Sequence, residues 1–433
     1  MSQAIKEESA YGGAFGEFAA RAREGEPAWV ARLREGAFAR FEELGFPTTD
    51  DEEWKYTNVS AVARAEFRPA EGPARLQREA VEPLVSAEAR RSRLVFVDGI
   101  FSRELSSLEA VAQGVVAVEL GAALAGEHAE VLWEHLGRLS GEGSDAFSAL
   151  NTAFLGGGAF LHVPKGVEAG APVQLLFVST AESGAATFPR VLVVAGRDSR
   201  LDLIETYASV GAAAYLTDAV VEVFVGEGAR VTHYKVQDEG AAAYHVASTR
   251  AELSRSSYYD LTTVTLGAQL SRHNIEILLE SEGAECRVDG LYIVGTGQHA
   301  DTHSLIDHRV PNCASRQNYK GILDGRSRAV FNGRVFVRED ASGTDAQQSN
   351  KNLLLSREAR VDTKPQLEIY NDDVKCSHGA TVGQLDEDEL FYLLSRGLHE
   401  DLARNLLTYG FAEEVVERIK FESIRAQLDE AIL

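Results

Sequence analysis

"AVVEVFVGEGARVTHYKV", residues 219–236, is the stretch on which the reading of the fold turns. Two runs rich in β-branched and aromatic residues flank a short Gly-Glu-Gly corner, the pattern of strand, turn and strand. From about Phe160 onward the same texture recurs in "VQLLFVST", "RVLVVAG", "YYDLTTVTL", "NIEILLES" and "VDGLYIVGTG". Segments of helical period are absent for more than 200 residues. The runs are also spaced. "SRLDLIETY" (199), "ARVTHYKVQ" (229), "SSYYDLTTV" (256), "AECRVDGLY" (284) and "ASRQNYKGI" (314) follow one another at 30, 27, 28 and 30 residues. A period near 28 suits one coil of a solenoid resting on the previous coil. A sandwich also has many short strands, but not this spacing. The expected fold class is mainly β, with a parallel β-helix core at 158–385.

The flanks read differently. Residues 14–44 place Trp29, Leu33, Ala37, Phe41 and Leu44 on one helical stripe that Gly45 and Pro47 end. A loop, "TTDDEEWKYTNVSAV" (48–62), follows. Trp54 and Tyr56 in that charged loop predict docking onto the chain's own surface; contact with a partner protein is the alternative. Strand-like "RLVFVDG" and "VVAVEL" precede a helical stretch around 125–155. The divisions expected are an N-terminal helical region (1–92), a mixed α/β connecting region (93–157), the core, and a C-terminal helical domain (386–433).

In that last part Asp386 or Asp388 can cap a first helix bearing Leu390, Leu393 and Leu394. A second helix, from about His399, carries Leu402, Leu406, Leu407, Phe411, Val415, Val416 and Ile419. Residues 386–433 hold twelve acids and five bases. The expectation is a helical cap over the solenoid with an acidic outside.

Composition narrows the function. Of 433 residues 45% are hydrophobic and 25% charged, ordinary for a soluble globular protein. Lys and Arg number 43 against 66 Asp and Glu, a net charge of −23, which argues against nucleic acid or an anionic membrane as partner. Three scattered cysteines, Cys286, Cys313 and Cys376, form no CxxC and no disulfide framework. There is no secretory leader and no apolar run near the roughly 18 residues of a membrane helix, so a reducing, cytoplasmic setting is expected.

Enzyme signatures are missing: no GxSxG elbow, no GxxxxGK[ST] phosphate loop, no HExxH helix. "GTGQHADTHSLIDH" holds His299, His303 and His308, read as surface or satisfied histidines near a strand corner, with metal ligation the weaker alternative. Cys286 and Cys313 lie in strand-like runs and read as small buried apolar residues. In "NDDVKCSHGATVG" (371–383) Val374, Cys376, His378, Ala380 and Val382 fall on one strand face. Spacing alone allows two packed residues. Position allows another reading, because this is the last strand-like run and a terminal coil has an edge to cover. A thiolate and an imidazole at such a rim would make half of a metal site that a second chain completes.

Four stretches carry a resemblance: "DEEWKYTNVS" (51–60), "GAFLHVPKGV" (158–167), "RQNYKGILDGRSRAVFNGRVFV" (316–337) and "YNDDVKCSHGATVGQLDEDELFYLLSRGL" (370–398). Together they resemble the SufB/SufD family of iron–sulfur cluster assembly proteins, in the same order along nearly the whole chain. The resemblance implies a right-handed parallel β-helix between helical domains. It implies a complex with a SufB-like scaffold protein and a SufC-like ATPase, reached by a cysteine desulfurase system through the complex, and no nucleic-acid or membrane partner.

It also maps the family's CxH motif onto Cys376 and His378, the histidine being the stronger contributor. It places the ATPase on 386–433, where Leu390, Leu394, Leu402, Leu406 and Phe411 are the docking candidates. Cluster or iron would be shared transiently with the partner, with no cofactor tightly bound to the isolated chain. Two departures stand out: Asn350 lies near the place of a SufB-type cysteine, and Gly379 follows His378 where a glutamate is usual. The function expected is therefore a non-enzymatic scaffold and adaptor subunit. A polysaccharide-active β-helix enzyme and a β-helix interaction module without metal chemistry are the competing classes.

Overall fold

The computed structural model describes residues 10–22, 26–65, 67–70, 72, 76–141, 145–180 and 183–432. A parallel β-solenoid of about seven coils forms its centre. Each coil gives one strand to each of two sheets. One sheet stacks Arg200–Ser209, Arg230–Asp238, Tyr258–Thr265, Glu285–Val294, Ala314–Leu323, Thr344–Leu354 and Val374–Gly383. The other stacks Arg190–Ala195, Leu216–Val225, Tyr244–Leu253, Leu270–Leu279, His299–His308, Arg328–Val337 and Arg360–Ile369.

The sequence period is the physical consequence of this pairing. Arg200, Arg230, Tyr258, Glu285 and Ala314 are successive partners in one unbroken ladder, so every coil must contain nearly the same number of residues. At each corner before these strands one residue takes a positive φ: Asp198, Gly228, Ser256, Gly283, Asn312 and Gly343. Gly343 has φ +70°, and a Cβ there would also meet Asn312 Oδ1 at 2.5 Å.

Alternation sends Val221, Val231, Leu261, Ile275, Ile277 and Val288 into the lumen. Farther along, tyrosines lie over glycines of adjacent coils. A Cβ on Gly290 would stand 2.1 Å from the Tyr319 ring, and one on Gly321 2.1 Å from that of Tyr292. The lumen is not wholly apolar. His233 bonds Glu205 at 2.7 Å and Tyr259 at 2.9 Å, while Lys235 lies 3.1 Å from His245, all buried.

The two ends of the solenoid are treated differently. At the first, antiparallel strands close both sheets: Val116–Glu119 pairs with Gly158–Val163, and Ile100–Ser107 with Arg93–Val97. Helices Ala10–Ala22, Ala28–Leu44 and Ala146–Ala153 pack alongside, through Tyr11, Phe38, Phe41 and Phe147 with the adjoining Phe154, onto Phe188, Leu216, Val246 and Leu270 of successive coils. The stripe on Ala28–Leu44 is Val30, Arg34, Phe38 and Phe41, one residue away from the expected Trp29, Leu33, Ala37 set, and Leu44 is exposed. Arg34 is buried because its guanidinium meets Glu26 and the Leu155 carbonyl, which hydrophobic periodicity does not register. A fully buried pair, Arg190 with Glu222 at 2.6 Å, ties the coil to the 137–140 segment, whose backbone N–H groups also donate to Glu222.

The far end is open. Arg360–Ile369 and Val374–Gly383 are the last strands of their sheets, and the C-terminal helices do not cover them as expected. Glu400–Val416 and Glu422–Ile432 lie instead along the side of the solenoid. Val415, Val416, Ile419, Phe421 and Leu428 pack on Ile204, Tyr234, Val264, Leu291 and Ile322, which are apolar at outward-facing positions. Lys320 to Glu414 (2.8 Å) and Arg418 to Asp289 (3.0 Å) pin the same face. No described helix is long and apolar enough to cross a membrane.

Candidate functional site

The open rim brings the Cys-x-His pair to the surface. The terminal strand Val374–Gly383 pairs in register with Thr344–Leu354, so Cys376 lies over Ala346, His378 over Gln348, Ala380 over Asn350 and Val382 over Asn352. Those four partners are buried lumen residues. Cys376 and His378 therefore continue lumen columns to the solenoid's mouth, on one strand face. Cys376 is half-buried against the cluster of Val335, Val337 and Ala346, and burial raises its thiol pKa. His378 is exposed, which removes the reading of two packed residues for the histidine.

Below the rim lies a floor of side-chain amides. Asn350 Oδ1 accepts from Thr363 Oγ1 and Asn352 Nδ2, both at 2.7 Å, and its Nδ2 donates to the Tyr319 carbonyl at 3.3 Å. Tyr292 donates to Asn352. Asn350 is thus a structural amide that joins the two sheets of the last coils. It offers no thiol. Among the described residues no three His, Cys, Asp or Glu side chains converge as a metal site. Two donors alone fall short of the roughly four that tetrahedral iron or zinc takes.

The other sequence candidates lie away from the rim. Cys286 and Cys313 are buried, as expected. His299, His303 and His308 lie within one strand, His299–His308, rather than at a corner. His308 is buried against Ser315 Oγ (2.9 Å) and His299 bonds Thr57 Oγ1 (3.0 Å). His303 sits 3.1 Å from both Asp301 and Glu53; burial would lower its pKa, but these carboxylates leave it raised. His299 and His303 are partnered within the chain, whereas His308 is buried with only its Nε2 paired and its Nδ1 left without a partner among the described residues.

Trp54 docks onto its own chain, under the Arg272 guanidinium (4.1 Å to the ring centroid) and beside Phe147. Tyr56 does not follow it into the core: it is 42% exposed, with the Lys55 ammonium over its ring. A cleft of about 380 Å³ opens beside Trp54, and its cations are paired, Arg250 with Asp145 and Glu276, Arg272 with Asp301, Arg334 with Glu368.

The C-terminal docking candidates separate into two sets. Helix Glu387–Ser395, capped by Asp386, buries no residue fully. Phe391 is 71% and Tyr392 56% exposed, and Leu394, Leu402 and Leu406 are exposed beside them. Leu390 is half-buried. Phe411 leaves the set, because it packs on the solenoid and Lys320 lies over its ring. Sequence reading missed Phe391, Tyr392 and the ionic lumen of Glu205, His233, Lys235, Glu239 and His245. The lumen had a signal: His233 and Lys235 share the inward parity with Val231 in "ARVTHYKVQ".

Comparison with known proteins bears on this architecture. A family model described as "SUF system FeS cluster assembly, SufBD core domain" matches residues 177–411, and one described as "SufBD protein N-terminal region" matches residues 5–175. The chain belongs to the SufBD family. A SufBD family iron–sulfur cluster assembly protein of Synechocystis is 36% identical over 94% of this chain and 91% of its own length. The iron–sulfur cluster assembly protein SufD of Escherichia coli is 31% identical over 89% of this chain and 88% of its own. The SufB protein of Bacillus subtilis is 28% identical over 72% of this chain and 67% of its own. A role in iron–sulfur cluster assembly follows from family membership, and the solenoid expected for a SufBD chain is the fold observed.

Proposed function

We propose that this chain is a SufD-type, non-catalytic scaffold and adaptor subunit of a SufBCD-type assembly complex. Its open rim joins edge to edge with a SufB-like scaffold, and its exposed C-terminal apolar face receives a SufC-like ATPase. His378, supported by Cys376, forms this chain's half of a site for iron and sulfide, which pass through as substrate rather than reside as a cofactor.

The observation that carries the reading is the contrast between the two solenoid ends. The first is closed by antiparallel strands, while the last leaves two ten-residue edges unpaired among the described residues, with an imidazole on the mouth. Unpaired edges of that length are usually blunted or covered. The half-site has two donors, so a partner must supply the others. Missing phosphate-loop chemistry, together with exposed Phe391, Tyr392, Leu394, Leu402 and Leu406, supports an ATPase in trans.

The test is co-expression with SufB-like and SufC-like partners. Ala380→Lys with Val382→Lys puts charge on the mouth and should abolish co-elution of the SufB-like chain while leaving the isolated chain folded. Undiminished co-elution would show that the rim is not the pairing surface.

A further inference from the structure

Under His378 the lumen wall carries a ladder of amides. Gln317 Nε2 donates to Ser304 Oγ at 2.8 Å, and Gln348 Nε2 donates to Gln317 Oε1 at 2.7 Å. Earlier positions of the same column are Leu261 and Val288, so the ladder begins only in the last coils before the mouth. Gln348 is buried, and its Oε1 has no hydrogen-bond partner among the described residues. The amide is also held in place: a Cβ on Gly333, across the lumen, would lie 2.6 Å from Gln348 Nε2. The next residue of the column, in register over Gln348, is His378.

We propose that Gln348 is a positioning residue for His378. Its Oε1 accepts one imidazole N–H and so selects the tautomer whose bare nitrogen faces out of the rim. A neutral imidazole can bind metal through one nitrogen only when its proton is on the other, and ligating histidines commonly hand that proton to a fixed acceptor. His378 is exposed at the rim, so rotation about its side-chain bonds can turn the ring over the mouth. Turning an exposed imidazole over the mouth costs less than leaving a buried amide oxygen unmade. The purpose assigned to this contact rests on the half-site reading of His378, but the contact can be tested without metal or partner.

The experiment uses the isolated full-length chain labelled with ¹⁵N-histidine, at about pH 8.5, where ordinary imidazoles are neutral. The His378 signal is assigned by its loss in His378→Gln. The tautomer ratio of His378 should differ from that of free histidine by about twofold to tenfold, the range of one net hydrogen bond. Gln348→Met should return it to the free value, and Gln348→Glu, which keeps an acceptor oxygen, should preserve the displacement. A ratio equal to that of free histidine in the unsubstituted chain would overturn the proposal without any variant having to fold. So would a ratio that Gln348→Met leaves unmoved. A tautomer that responds to Gln348, beside normal iron loading of a His378→Ala complex, would uphold the positioning and remove the half-site reading instead.

Discussion

Replacing Asn350 by alanine should fray the rim and leave the rest of the solenoid intact. The side chain makes two 2.7 Å hydrogen bonds, from Thr363 and Asn352, and two longer ones, at 3.3 Å to the Tyr319 carbonyl and 3.5 Å to the Tyr292 hydroxyl. Each contributes about 0.5–1.5 kcal/mol net, and truncation leaves buried groups without partners, so the expected loss is about 2–4 kcal/mol. Coils of a solenoid hold mainly to their neighbours, which confines the loss to the last turns. Amide exchange across residues 344–383 should then quicken by about 30-fold to several-hundred-fold, at about 1.4 kcal/mol per decade, under conditions where opening and closing equilibrate faster than the exposed amides exchange. Peptides from 200–280 should be unchanged. Hydrogen exchange read by mass spectrometry is the assay. Uniform acceleration along the chain, or none at the rim, would refute the picture of Asn350 as a local floor.

Three more expectations concern the body of the molecule. Trp54→Ala removes a buried ring between Arg272 and Phe147 and should cost about 3–5 kcal/mol, lowering the melting temperature while complex assembly at permissive temperature persists. Asp260 has its carboxyl pKa pushed up to about 6 by burial and by Asp289. Because this lies above the unfolded value, its contribution is most favourable below about pH 4 and is lost as pH rises through 6. Asp260→Asn should therefore stabilise the chain by about 1–3 kcal/mol at pH 8, with the gain vanishing near pH 4; thermal melts across that range will show it. Leu402→Glu with Leu406→Glu, on the exposed face, should abolish co-purification of the ATPase without shifting the melting temperature, whereas a shift would mean that these leucines serve the fold.

The core was legible because the ladder repeats itself. In-register stacking forces equal coil lengths, and the corners need left-handed residues, so Asp198, Gly228, Ser256, Gly283, Asn312 and Gly343 punctuate the chain at that period. The flanks were less so. Arg34 is buried by polar partners, Glu26 and the Leu155 carbonyl, which places the helix stripe one residue from where its apolar residues point. The C-terminal helices follow the last strand directly, and chain order alone places them over the open end. Their actual seat is marked by Tyr234, Val264 and Leu291, apolar residues at outward positions that a strict alternation would leave polar. The pairing of Cys376 with His378 on one face was readable from period two, and the exposure of His378 was not, since it depends on the absence of a further coil over it.

Iron and acid-labile sulfide per complex, measured for His378→Ala beside the unsubstituted protein, test the central claim most directly. The partners' co-elution is checked in the same preparation. Loading should fall steeply with His378→Ala while all subunits remain together and folded. It should fall less with Cys376→Ala, because a half-buried neutral thiol behaves mainly as a small apolar residue. It should not change on replacing the buried Cys286 or Cys313. Normal iron and sulfide in an intact His378→Ala complex would contradict the account and leave the rim as a pairing surface alone.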